Sequence, residues 1–154
     1  MDSDLGIRLE HVFDMRIFFG RRWVIDPTAG GWKQGYTSVE VGEVEGPRLN
    51  GRLVDHSGAD WPLVRPDGVV ELNAHYMIEA EDGALIYIRN LGYVHGSADP
   101  DPAKRYFRCT PYFRAPQGKY DWLNRTVIVG AGRRRPKLTE GDPPDHSVFR
   151  YYAV

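Results

Sequence analysis

The sequence predicts an all-β protein, a barrel or sandwich of about eight strands, on three observations. Apolar residues alternate with polar ones in run after run, turn-forming clusters separate the runs, and no segment carries a convincing helical period. The opening run sets the pattern. Over 5–19, Leu5, Ile7, Leu9, His11, Phe13, Met15, Ile17 and Phe19 occupy every second position, an alternation sustained too long for an amphipathic helix. Asp26-Pro27-Thr28-Ala29-Gly30-Gly31 then breaks the strand, its glycines free to take positive φ.

Further strands are expected at 36–45, 48–56, 69–80, 84–94, 105–115, 121–130 and 147–154. Turn chemistry divides them at Glu45-Gly46-Pro47, Pro66-Asp67-Gly68, Glu81-Asp82-Gly83 and Gln117-Gly118. Of these, Glu81-Asp82-Gly83 is the strongest hairpin signal. Asp121 to Asn124 has room for one helical turn. Two stretches read as mobile loops: 96–104, with two prolines and no apolar period, and 131–146, with Arg133-Arg134-Arg135-Pro136-Lys137 followed by Gly141-Asp142-Pro143-Pro144-Asp145. The basic run reads as a solvated loop, neutralised by the acids after it.

Composition narrows the class. The 154 residues form one expected domain, 1–154, large enough to bury about two-thirds of its unfolded surface. A net charge of −1 supplies no field for nucleic acid or an anionic membrane. No uncharged apolar stretch approaches the roughly 20 residues that cross a bilayer, and charges crowd the first twenty positions, unlike a signal peptide. A single cysteine, Cys109, matches a reducing compartment, so a cytoplasmic location is expected. The five histidines lack ligand spacing, with His56 and Asp60 the one close pair, so neither a metal nor a cofactor is expected. No nucleophile elbow, phosphate loop or dinucleotide fingerprint occurs.

Strand parity sorts the side chains. Along 69–80, Val70, Leu72, Ala74, Tyr76, Ile78 and Ala80 share one face, and Glu71, Asn73, His75, Met77 and Glu79 the other. The first face is assigned to the core, which turns Tyr76 inward and leaves His75 outside. In 105–115, Tyr106, Arg108, Thr110, Tyr112 and Arg114 form an amphipathic face suited to a rim or a wet cavity.

The leading chemical candidate is Asp60, within Gly58-Ala59-Asp60-Trp61. Trp61 is expected to desolvate this acid, and partial desolvation raises a carboxyl pKa and fits it to proton transfer. Arg65, Arg89 or Arg108 would supply a counter-charge or bind an anion. Tyr76 and Arg89 are candidates to polarise a carbonyl or enolate oxygen. Trp61 and Trp122 would wall the pocket, and Asn124 would orient a ligand. Each has a structural alternative: Asp60 capping turn amides, Trp61 and Trp122 plugging a barrel end, Tyr76 bonded to backbone. Ile17, Phe18, Phe19 and then Trp23 in the opening strand, and Phe149-Arg150-Tyr151-Tyr152 at the last, add apolar density consistent with a homodimer or higher homo-oligomer.

A set of short motifs in one order carries a family resemblance: Gly46-Pro47-Arg48-Leu49-x-Gly51, Gly58-Ala59-Asp60-Trp61, Arg65-x-Asp67-Gly68, Leu72-Asn73-Ala74-His75-Tyr76, Asp82-Gly83-Ala84-x-Ile86, Tyr106-Phe107-Arg108 and Tyr120-x-Trp122-Leu123-Asn124. From about residue 7 onward the chain resembles the domain-of-unknown-function family numbered 3237. That resemblance implies a lipocalin-like antiparallel barrel, often oligomeric, with an interior for side chains or one small ligand. It also implies a small organic ligand, since members tend to accompany aromatic-compound and natural-product metabolism. The chain departs from the family pattern at Asn73-Ala74-His75, where Asp-x-Arg is usual, and at Cys109, where Thr is usual. The first change removes a carboxylate and exchanges a permanent cation for an imidazole. If the pair is a structural ion pair in relatives, an Asn–His hydrogen bond is expected here, and if it belongs to the site, this protein's chemistry should differ from theirs. The sequence therefore leads to two expectations. One is a cofactor-independent lyase, isomerase or cyclase acting on a small aromatic or polyketide-like molecule through Asp60. The other is a non-catalytic barrel that binds a small molecule.

Overall fold

Ten strands close into one antiparallel barrel in a computed structural model that describes residues 6–154. They are β1 (Glu10–Val24), β2 (Lys33–Glu45), β3 (Gly51–Leu53), β4 (Gly58–Asp60), β5 (Leu63–Val64), β6 (Val70–Ala80), β7 (Leu85–His95), β8 (Tyr106–Arg114), β9 (Ile128–Arg135) and β10 (His146–Ala153). The short β3, β4 and β5 lie end to end between β2 and β6, so the barrel has eight staves. Closure falls to β1, which pairs with β10 over Glu10–Phe18 and with β2 over Asp14–Val24. With no free edge, every stave buries one face inside. Among the described residues no helix is long and apolar enough to cross a membrane.

The alternation in the sequence is the alternation of the wall. Ala74, Tyr76, Ile78 and Ala80 of β6 are buried, as are Ile86, Ile88 and Asn90 of β7 and Phe107, Cys109 and Phe113 of β8. The expected β6 parity is the observed one. At 105–115 the amphipathic face is the outer wall, with Tyr106, Arg108, Thr110, Tyr112 and Arg114 all exposed. The hairpin at Glu81-Asp82-Gly83 forms as expected. Gly83 takes φ 83° and the Asp82 carboxylate accepts from the Ala84 amide at 3.2 Å.

Several boundaries differ from expectation. The first strand begins at Glu10; Ile7 and Leu9 lie before it and are exposed, and Leu5 lies outside the described residues. A bulge between His11 and Phe13 turns both Val12 and Phe13 inward, which simple alternation forbids. The expected strand 48–56 keeps only Gly51–Leu53, and β4 takes over the stave from Gly58. At 121–130 a 3-10 turn over Asp121–Asn124 precedes the strand. The loop expected at 131–146 loses its first five residues to β9. Phe149 and Tyr151 point inward and are buried, so the apolar density of β10 is core.

One end of the barrel is filled. Val12, Phe13, Met15, Val44, Leu49, Leu53, Ile78, Ile86, Ile88, Ile128 and Tyr151 are each no more than 3% exposed. The turn at 121–124 caps this end, with Leu123 buried and the Arg48 guanidinium 3.9 Å from the centre of the Trp122 ring. At the opposite end the strands β1, β7 and β9 run into the loops 25–32, 96–105 and 136–145, and charged side chains join the apolar ones.

Candidate functional site

The open end gathers its charges from three staves. Asp60 on β4 lies in register with Thr37 on β2 and Ala74 on β6, both buried, and cross-strand partners project from the same face. Arg22 on β1 pairs with Thr37 and extends that row. Arg134 on β9 pairs with Ser147 on β10, which is fully buried and itself pairs with Ile17 of the core. A basic run that reads as a solvated loop therefore sends its middle arginine inward.

Local geometry fixes Asp60. Gly58 lets β4 cross β6 closely, since a Cβ there would stand 1.7 Å from the His75 carbonyl oxygen. The chain then turns, and Asp60 Oδ1 accepts from the Asn73 amide at 3.0 Å. Burial outweighs this bond and the influence of Arg134 and Arg22, and pushes the carboxyl up to about 6. An acid in this range exchanges protons near neutral pH.

Arg22 and Arg134 converge on one carboxylate. Both guanidinium groups bond to Asp145, Arg134 at 3.0 and 3.1 Å. Both also lie over the Phe19 ring, 5.6 and 5.1 Å from its centre. The Asp145 carbonyl accepts from the Phe19 amide at 3.0 Å, which ties the loop to β1. Their charge acts on Asp60 without an ion pair to it. Phe107 and Phe149, edge to face at 5.1 Å, and the half-buried Leu72 and Val94 supply apolar surface in the same half.

Below this ring lies a buried polar cluster. Asn90 Nδ2 donates to the Tyr151 hydroxyl at 3.1 Å, and the Tyr76 hydroxyl donates to Met15 Sδ at 3.6 Å. Burial pushes the Cys109 thiol up to about 11 and holds both phenols protonated, so none is a base at neutral pH. Asn90 Oδ1 and Ser147 Oγ have no hydrogen-bond partner among the described residues.

The structure brings together only part of the expected set. Asp60 and Tyr76 are both inside. Trp61 points outward at 51% exposure, with its ring 4.8 Å from Tyr36, so the barrel and not the indole desolvates Asp60. Arg89 lies on the outer wall and donates to Asn73 Oδ1 at 3.2 Å. Arg108 is also outside, bonded to its neighbouring carbonyl. Arg65 is occupied with Asp67 at 2.6 Å and Glu71 at 3.7 Å. None of the three is the counter-charge; Arg22 and Arg134 are. Trp122 and Asn124 sit at the closed end, where the Asn124 side chain clamps both the amide and the carbonyl of Ala115. His75 lies outside and pairs with Asn73 at 3.2 Å, the hydrogen bond expected in place of an ion pair.

Parity from Gly130 and Gly132 reaches Arg134, a signal readable in the sequence. Arg22 is harder, because register shifts between Phe18 and Phe19 and again before Arg22 break the count from Ile17. A groove of about 890 Å3 lies elsewhere, across the outer wall of β6–β9, flanked by Leu91, Tyr93, Tyr106, Arg108, Val129 and Tyr152.

Comparisons agree with this architecture. A UPF0311 protein of Rhodopseudomonas palustris is 34% identical over 103 residues, covering 60% of this chain and 67% of the relative. A solved Clostridium acetobutylicum protein with unknown function superposes with a TM-score of 0.81 at 29% identity, over 96% of this chain and 99% of that one. An enzyme from Penicillium herquei shares the fold, with a TM-score of 0.69 at 23% identity over 97% of this chain and 99% of its own. The family model described as protein of unknown function (DUF3237) matches residues 7–154, and the chain belongs to that family.

Proposed function

We propose that this protein is a cofactor-independent acid–base enzyme of the lyase, isomerase or cyclase type, acting on a small aromatic or polyketide-like molecule at the open end of the barrel. One observation carries the reading: Asp60 is a carboxyl directed inward, held near a pKa of 6 by burial, with two arginines close enough to act on it electrostatically. In its ionised form Asp60 takes a proton from a carbon next to a carbonyl. Arg22 and Arg134 offset the negative charge that moves to the enolate oxygen. The protonated carboxyl then returns the proton to carbon or to a leaving oxygen, and the site regains its starting state. Phe19, Phe107 and Phe149 offer aromatic surface for a ring.

Proton exchange tests this without knowledge of the natural substrate. Benzoylacetone, a phenyl 1,3-diketone, is incubated with protein in D2O and its exchangeable α-carbon followed by NMR. The wild-type protein is expected to accelerate exchange over buffer, and Asp60→Asn to lower that acceleration by about 10²–10⁴-fold while remaining folded. An unchanged rate in Asp60→Asn removes Asp60 from the chemistry.

A second reading, non-catalytic binding of a small molecule, is favoured by the groove on the outer wall, whose volume suits a small ligand. Binding that maps to Tyr93, Tyr106 and Arg108, with no exchange activity, supports it over the first.

A further inference from the structure

The arginine pair at the open end is built for more than its aspartate. Two guanidinium groups carry ten N–H donors between them. Their ion pairs with Asp145 engage one terminal nitrogen of each, Nη2 of Arg22 and Nη2 of Arg134. Two positive charges share the one carboxylate of Asp145, and Asp60 adds a second negative charge nearby only as it ionises above about pH 6. Asp60 forms no ion pair with either arginine, so it leaves their remaining N–H donors unengaged.

The arrangement is also held in place from behind. The Asp145 backbone is bonded to Phe19, and the Phe19 ring underlies both guanidinium groups. A planar cation seated on a ring and tied at one corner keeps its orientation at low entropic cost. Beside Arg134 the fully buried Ser147 hydroxyl has no partner among the described residues. A cation pair oriented in this way recognises an oxyanion, and bidentate geometry suits a carboxylate or an enediolate.

We infer that the site selects substrates bearing an oxyanion, a carboxylate or an ionised enol or phenol on an aromatic or enolic frame, which Arg22 and Arg134 hold opposite Asp60. The inference rests on the proposed function for the identity of the site and goes past it in naming the substrate class. Asp145 anchors the clamp and the ligand takes the remaining guanidinium edges. Arg22 and Arg134 are specificity-determining residues that touch the substrate oxygen.

Benzoate and benzamide separate the idea from general aromatic binding, since they differ in charge but hardly in shape. Each is titrated into the full chain while backbone amide NMR shifts are followed. Benzoate is expected to shift residues around Arg22, Thr37, Arg134 and Ser147 and to bind at least about tenfold tighter than benzamide. Arg134→Gln is expected to remove that preference without weakening benzamide. Arg22→Gln is a second variant, should Arg134→Gln unfold the β9 end. Asp60→Asn is expected to bind benzoate as tightly as wild type or tighter, since it removes a carboxylate facing the ligand. Equal affinity for the two probes, or benzoate shifts confined to the outer groove, overturns the inference. If Asp60→Asn keeps both its exchange activity and its benzoate preference, the acid–base role falls and the clamp stands. If exchange is lost in Asp60→Asn but benzoate shows no preference, the clamp falls and the acid–base role stands.

Discussion

The two ends of this barrel are made from the same strands and solve opposite problems. At the closed end, each inward position carries an aliphatic or aromatic group, and a single turn with Leu123 and Trp122 covers the opening. Toward the mouth the same staves carry the inward Asp60 and Arg134 and the more exposed Arg22. Asn90 Oδ1 and Ser147 Oγ lie buried without partners among the described residues, as the Tyr120 hydroxyl does beside the cap. An unpartnered buried polar group costs about 1–3 kcal/mol, and a desolvated carboxyl adds its own penalty. The closed end holds the fold together, and that surplus of stability lets the mouth keep groups that folding alone would reject.

The contrast can be broken most forcefully at the closed end. Phe13 is fully buried, with its ring 4.8 Å from Tyr151 and 6.2 Å from Phe113. Phe13→Ala is expected to cost about 3–5 kcal/mol in a denaturant titration. A loss under 1 kcal/mol would show that this end is not the stabilising half.

At the mouth the expected sign is reversed. Asp60 binds its proton more tightly folded, at about 6, than unfolded, at 3.8, so its contribution to stability is complete below 3.8 and is lost as pH rises through 6. At pH 8 the ionised carboxyl then costs as much as about 2–3 kcal/mol. Asp60→Asn, whose side-chain oxygen still accepts from the Asn73 amide, is expected to be more stable than wild type at pH 8 by up to that amount. Near pH 3.5 the two proteins should be equal. Thermal unfolding at both values checks the prediction, and a destabilised variant at pH 8 would mark Asp60 as a structural corner.

The smallest effect belongs to the outer wall. Trp61→Ala is expected to cost about 1 kcal/mol, from its contact with Tyr36, and to leave the titration of Asp60 where it was. A fall in that titration would restore the indole as the desolvating group.

These three sites show what a sequence of this kind discloses. Period-2 alternation located most strands, since each stave has one wet and one dry face, and it placed Tyr76 inside and His75 outside correctly. It singles out Asp60, an acid at a glycine-relaxed turn, which the barrel buries. It did not find the partners of Asp60, because proximity across a barrel is set by register between strands far apart in sequence. Arg65, Arg89 and Arg108 are close to Asp60 along the chain or in charge logic, yet each faces outward or is already paired. Arg22 escaped behind two register shifts, and Arg134 lay within a run of arginines whose ordinary fate is solvent. Trp122 and Asn124 are conspicuous residues in the sequence, and both serve the cap at the far end.

The central claim is that burial in the mouth, and no special neighbour, makes Asp60 a proton carrier near neutral pH. Carbon-detected NMR of the Asp60 side-chain carboxyl across pH 3 to 9 measures this directly. A midpoint near 6, the same in wild type and Trp61→Ala, is expected. A midpoint at or below 3.8 would contradict it, and would leave Asp60 as an ionised cap on the Asn73 amide.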